Sequence, residues 1–222
     1  MGIVCVLRQL EGGIIIKIKT GLPDFDEEIH EKLLKDGWRE LKEPKSLMGQ
    51  VALSIPFMII NFIISQLIIG IFMNEISVTI EDTEDLKYAY LIILAISIVL
   101  IVVHELIHLL FIPNFIKSDN TYIGFTYFGG YVYTKEALTK YRLCLIYIAP
   151  FVFLSIILNA ISGALGLYNI PLIAFIIFNS IGSGVDILGL TLVLLQVPKD
   201  AYLTMNVMRT YWKNMNPILT EA

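Results

Sequence analysis

Four apolar runs, each long enough to cross a bilayer, decide what this chain can fold into. They extend from Leu47 to Met73, Leu91 to Ile112, Leu143 to Leu165 and Pro171 to Val197. About 20 apolar residues span the hydrocarbon layer as a helix. A lipid-exposed backbone must satisfy its own hydrogen bonds, so an apolar run of this length is helical there. Composition agrees: 56% of the residues are hydrophobic and 16% charged, where soluble domains carry about a quarter. The expected fold class is an all-α membrane protein with four transmembrane helices in a lipid bilayer. A four-helix domain over 47–197 would follow a small cytoplasmic α/β region, 1–46, and precede a cytoplasmic tail, 198–222. The net charge of −4 comes with no basic stripe, so no nucleic-acid partner is expected. Two cysteines, Cys5 and Cys144, make neither a disulfide framework nor a cysteine metal site.

Charge sets the expected orientation. Lys and Arg number 8 in residues 1–46, 4 in 114–142 and 3 in 198–222, against a single Lys87 between the first two spans. The positive-inside rule then places both termini in the cytoplasm. Residues 1–46 carry charges throughout and hold no signal-peptide core. Within them Ile14–Lys19 reads as a strand. Asp24 with Glu27 reads as a helix cap, and Phe25, Ile29 and Leu33 as an amphipathic stripe closed by Gly37. His30 on that helix is expected to be a solvated surface residue. Ser54, Asn61 and Ser65 share one face of the first span and are expected to pack against other helices.

Within the second span stands His104-Glu105-Leu106-Ile107-His108. Spacing i, i+4 puts both imidazoles on one helix face, one turn apart. Two such rings can hold one zinc ion while Glu105 reaches a water beside it. The competing explanation is polar glue between helices, with each histidine bonded to a carbonyl. Three ionisable groups in five residues of a membrane helix are a heavy load for glue, and intramembrane charge by default marks function.

Of the 20 acidic residues, only Glu105 and Asp186 fall within spans, and no Lys or Arg does. An unpaired carboxylate in hydrocarbon must be protonated or bound to a cation. Spans two and four run in the same direction. His104 is 13 residues past Leu91 and Asp186 is 15 past Pro171, so both lie about 20 Å below the same edge. His104, His108 and Asp186 thus make a three-ligand set of the catalytic type. Glu136, in a polar loop, is the poorer alternative third ligand. Asn179, Ser183 and Asp186 share a face, so Asn179 or Ser183 could orient the carboxylate or bond a substrate peptide. The glycines around Ser183 read either as close helix packing or as a local bend. Pro150 leaves the Ile146 carbonyl without its helical partner, and that carbonyl or Tyr147 could line a water path. The aromatic stretch Thr121–Tyr133 is β-prone, with Gly129-Gly130 as its turn. It reads either as a hairpin that pairs with an extended substrate or as an interfacial lid.

His104-Glu105-Leu106-Ile107-His108, the aromatic loop, Ala149-Pro150, Gly182-Ser183-Gly184-Val185-Asp186-Ile187 and Trp38-Arg39-Glu40-Leu41 together resemble a bacterial membrane family of zincin peptidases. The resemblance covers the chain from about Trp38 onward. It implies a site-2-protease-like zinc site in the bacterial cell membrane, with His104, His108 and Asp186 as ligands and Glu105 as base. Its partners would be membrane-protein or peptide substrates. Site-2 proteases usually carry Gly directly after the ligand Asp, and this chain has Ile187. From another class, the alternative is a non-proteolytic, metal-binding membrane accessory protein. Glu105 discriminates between the two, because a pure ligand set does not need it.

Overall fold

The computed structural model describes residues 4–7, 16–20, 25–73, 83–115, 118, 120–126 and 129–214. Four helices in it are long and apolar enough to cross a membrane, over Leu47–Phe72, Leu91–Phe111, Lys140–Ala164 and Ile170–Gln196. The first is α2 (Leu47–Phe72). Ser46 caps it, its side chain accepting from the Gly49 N–H. The second, α3 (Thr83–Phe111), begins within the loop expected over Asn74–Lys87; residues 74–82 lie outside the described residues. The third is composite: α4 (Lys140–Pro150), a π-helical segment (Phe151–Ile157) and α5 (Leu158–Ala164). The fourth comprises α6 (Ile170–Gly182) and α7 (Gly184–Gln196), which meet at Ser183.

An all-α description proves too narrow. Among the described residues, eight strands form two four-stranded sheets. One has the order β1-β2-β4-β5, from β1 (Val4–Leu7), β2 (Ile16–Thr20), β4 (Thr121–Thr126) and β5 (Gly129–Thr134). Its β2–β4 pair is parallel, and β4–β5 is the antiparallel hairpin expected from the aromatic loop. Gly129 and Gly130 open β5, where the sequence reading made them the turn. The actual connection, Tyr127-Phe128, lies outside the described residues. The other sheet has the order β3-β8-β7-β6, all antiparallel, from β3 (Arg39–Glu40), β6 (Leu138–Thr139), β7 (Ala201–Asn206) and β8 (Arg209–Asn214). Residues 198–222, expected as a tail, thus contain a hairpin. Ala201 and Leu203, two residues apart, face the apolar core and are each 1% exposed, while Tyr211, paired with Thr204, is buried on the other face of the sheet, where its hydroxyl meets His30.

The N-terminal helix α1 (Glu27–Lys35) is capped by Asp26, whose side chain accepts from the Ile29 N–H at 3.0 Å. The cap was expected at Asp24, which lies outside the described residues. Gly37, at φ +80°, ends the element as expected. His30 is not merely a solvated residue. Its Nδ1 lies 2.7 Å from the Tyr211 hydroxyl, and its ring packs on Phe25.

The helices pack through small and polar side chains. Gly184 of α7 lies against Met58 of α2: a Cβ there would stand 3.0 Å from the Met58 backbone nitrogen. Small residues let membrane helices approach this closely. Ser54, Asn61 and Ser65 are buried, as expected for a packing face, and Ser65 meets Ser180 hydroxyl to hydroxyl. The apolar core lies at the junction of bundle and second sheet. Leu109, Leu143, Val193, Ala201 and Leu203 are buried together there. The sheets therefore cover the end of the bundle where α3 finishes.

Candidate metal centre

Helix α3 brings His104 and His108 to one face, and the first turn of α7 brings Asp186 against them. The distance from His104 Nε2 to Asp186 Oδ2 is 3.2 Å, and from His108 Nε2 to Asp186 Oδ1 3.4 Å. The two Nε2 atoms are 3.1 Å apart. Glu136 is elsewhere, accepting from the Ser118 hydroxyl at 2.8 Å and the Asn120 amide at 2.9 Å. Among the described residues, His104, His108 and Asp186 are the group whose donor atoms stand close enough to share an ion.

Hydrogen bonding fixes what these atoms present. The His108 Nδ1–H donates to the Ile146 carbonyl at 2.8 Å. A carbonyl only accepts, so the proton is on Nδ1, and Nε2 of the neutral ring carries a lone pair. The same logic holds for His104. Asn179 donates its amide N–H to the Pro150 carbonyl at 3.1 Å and to Ser155 Oγ at 2.8 Å. Its Oδ1 therefore faces His104 and accepts the Nδ1–H at 2.9 Å. Two ring lone pairs and two carboxylate oxygens thus converge on one point inside the bundle. Acceptors gathered in low dielectric call for a cation or a shared proton among them.

Spacing supplies a separate test. Four-coordinate zinc bonds of 2.0–2.1 Å put neighbouring donor atoms about 3.3 Å apart. The 3.1 Å between the two ring nitrogens and the 3.2 Å from His104 Nε2 to Asp186 Oδ2 are close to that edge, and His108 Nε2 lies 3.4 Å from the other carboxylate oxygen. Asn179 and the Ile146 carbonyl are the outer partners that orient ligating histidines and hold their tautomers.

Pro150 explains why the Ile146 carbonyl is available. With no N–H of its own, the proline cannot bond the carbonyl four residues back. The π-helical segment starts directly after it, as such segments do at functional sites. This carbonyl, or Tyr147, was expected to line a water path; both residues line the cavity, and the carbonyl is taken up by His108. Asn179 was named as a possible partner of Asp186, and it holds His104. Ser183 does neither: its hydroxyl is buried and has no hydrogen-bond partner among the described residues.

Glu105 is 8% exposed and lines the same cavity as the three donor residues. The hairpin lies directly on it. A Cβ at Gly130 would stand 2.5 Å from Glu105 Cγ, so only glycine fits as the side chains now stand. The cavity, about 380 Å³, continues past Tyr147 to Glu43, Met208 and Thr210 at the end covered by the sheets. Glu43 escaped the sequence reading, since nothing distinguishes it from the eight other acids of residues 1–46.

Residues 97–202 match the profile of a family described as "Putative zincin peptidase". That stretch of the chain is similar to the family. It contains both histidines, Glu105, Asn179 and Asp186, together with the hairpin and Pro150. The family description implies zinc in general terms and a peptidase activity. No curated protein and no solved structure matches the chain.

Proposed function

We propose that the chain is an intramembrane zinc metalloprotease that hydrolyses peptide bonds of membrane-embedded or membrane-adjacent substrates. The observation that carries this reading is the convergence of two histidine lone pairs and a carboxylate, with Glu105 beside them, on the wall of a cavity within apolar helices. His104, His108 and Asp186 would hold the ion. Zinc, when bound, supplies Lewis acidity and makes water more acidic. Glu105 takes a proton from the attacking water and delivers it to the leaving amine. Gly130 leaves beside the Glu105 side chain the space that a Cβ would fill. Asn179 and the Ile146 carbonyl keep both rings facing the ion. The substrate, a membrane protein or peptide, would lie extended along the β5 wall beside Glu105. Both termini would face the cytoplasm, as the Lys and Arg distribution supports.

The test is Glu105→Gln, which keeps shape and removes basicity. Turnover of a co-expressed single-span substrate should fall by a factor on the order of 10² or more, the usual scale of acid–base catalysis. Zinc content should stay at wild-type level. A zinc-loaded wild type that cleaves nothing across a broad membrane-protein set would favour a metal-binding accessory protein. Loss of zinc in Glu105→Gln would show that Glu105 supports the metal and is not the base.

A further inference from the structure

Glu43 lies outside the spans, three residues before α2 begins at Ser46–Leu47, yet it lines the cavity that holds the metal donors. The segment around it is pinned on both sides. The Leu41 N–H donates to the Thr210 carbonyl at 2.8 Å. Gln196, at the end of α7, takes the Lys42 N–H at 2.9 Å and donates to the Lys42 carbonyl at 3.0 Å. The Glu43 carboxylate accepts the Thr210 N–H at 2.5 Å and faces the Thr210 hydroxyl at 3.4 Å. It is a fixed group.

Its charge is unanswered. The cations nearby belong to Glu40, which pairs with Lys45 at 3.7 Å and Arg209 at 3.6 Å. Among the described residues Glu43 has no basic partner within ion-pair distance. Burial pushes its carboxyl up to about 7, with Glu40 adding repulsion and the Thr210 bonds opposing. A preorganised carboxylate that is hard to ionise, on the wall of a cavity and without a cation, is a receptor for a cation from outside.

We propose that Glu43 forms a subsite for a Lys or Arg side chain of the substrate, and that the substrates are segments carrying such a residue just outside the membrane at the sheet-covered end. This rests on the protease reading of the same cavity. The placement supports it. His108 is three residues from the end of α3 at Phe111, about 5 Å along the helix. A peptide lying across the donor residues therefore leaves the apolar layer within a few residues, at the end where Glu43 stands. Spanning segments are flanked by Lys and Arg on their cytoplasmic side, the side the charge distribution of this chain assigns to that end. The subsite would thus read the flank that a correctly oriented substrate presents, and disfavour an acidic one.

The experiment measures binding separately from cleavage. Full-length, zinc-loaded protein bearing Glu105→Gln is held in zwitterionic micelles with a fluorescent, single-span Leu/Ala peptide. Lys, Gln or Glu is placed in turn at each of about six flanking positions. The Lys-over-Gln affinity ratio should reach on the order of 10-fold at one or two adjacent positions, the scale of a partly desolvated ion pair. Adding Glu43→Gln should bring that ratio to near one. Glu43→Lys should invert it in favour of the Glu peptide; Glu43→Gln is isosteric and decides the matter alone if the lysine variant does not fold. A ratio that survives Glu43→Gln, a ratio of one at every position, or failure of all three peptides to bind would overturn the subsite. Cleavage of the same peptides with Glu105 intact is scored in parallel. Charge-dependent binding without cleavage removes the protease reading and leaves the subsite. Cleavage indifferent to Glu43 removes the subsite and leaves the protease.

Discussion

Gly130→Ala isolates the positioning of the base from the metal. The alanine Cβ would stand 2.5 Å from Glu105 Cγ and 3.0 Å from its Cδ and Oε1. Ordinary van der Waals contact begins at 3.4 Å, so the pair must separate by about 0.9 Å. Strand β5 is held by six residue pairs to β4, and Glu105 is on a helix whose next turn carries His108. The flexible partner is the Glu105 side chain, and it must rotate away from where it now points. Misplacing a catalytic group by about 1 Å costs on the order of 10²-fold in rate. None of the three donor residues touches the new methyl group at closest range. Gly130→Ala should therefore cut kcat about 100-fold while zinc stays at one per chain. The assay pairs metal analysis of purified protein with cleavage of a co-expressed single-span substrate. Full activity would show that Glu105 does its work from another position. Loss of zinc would show that the hairpin supports the metal donors themselves.

Three other outcomes are expected. His104→Ala, His108→Ala and Asp186→Ala should each sharply lower the zinc content of purified protein, because each removes one of three donors; full zinc affinity in Asp186→Ala would move the third ligand elsewhere. Reporter fusions at residues 80 and 222 should report opposite sides of the membrane, and the same side for both would break the four-span topology. Glu43 should make stability depend on pH. Its carboxyl titrates near 7 in the fold against 4.5 for the ordinary group, so the folded state holds its proton more tightly. The Glu43 contribution to stability should be fully present below about pH 4.5 and fall by up to roughly 3 kcal/mol as pH rises to 7, then level off. Thermal unfolding in micelles should show this slope in wild type and lose it in Glu43→Gln; equal slopes would mean that Glu43 is solvated.

The spans were legible because hydrocarbon demands long apolar helices, a constraint that needs no knowledge of neighbours. Their charges were legible for the same reason: Glu105 and Asp186 stand out where no other carboxylate does. The sheets were harder to see. Strands β3 and β6 are two residues long and exist only through their pairing with β7 and β8. Strand β2 sits between β1 and β4, with 100 residues, 21–120, between it and its parallel partner. Pairing over such distances leaves no local period. Gly129-Gly130 misled in an instructive way. A glycine pair ordinarily signals a turn, but Gly130 is required by its close approach to Glu105. Glu43 left no sequence signal because its importance comes from Thr210, far along the chain, and from the cavity they share.

Pro150 shows how a local rule and the site become one fact. A proline inside a membrane helix breaks a backbone bond, and in lipid the freed carbonyl must find another donor. Here the donor is the His108 ring. The bond answers the helix's need and, by holding the proton on Nδ1, turns Nε2 toward Asp186 and His104. Pro150's own carbonyl is likewise met from outside the helix, by the Asn179 amide, and that bond fixes which end of Asn179 faces His104. One proline thus sets the tautomer of both histidines, one directly and one through Asn179. The sequence exposed the first half of this, an orphan carbonyl at Ile146. The second half needed α6 to pass beside the π-helical turn, and α6 packs there against α2 and α3 as well as the π-helical segment, elements distant from it in sequence or joined to it only through a loop.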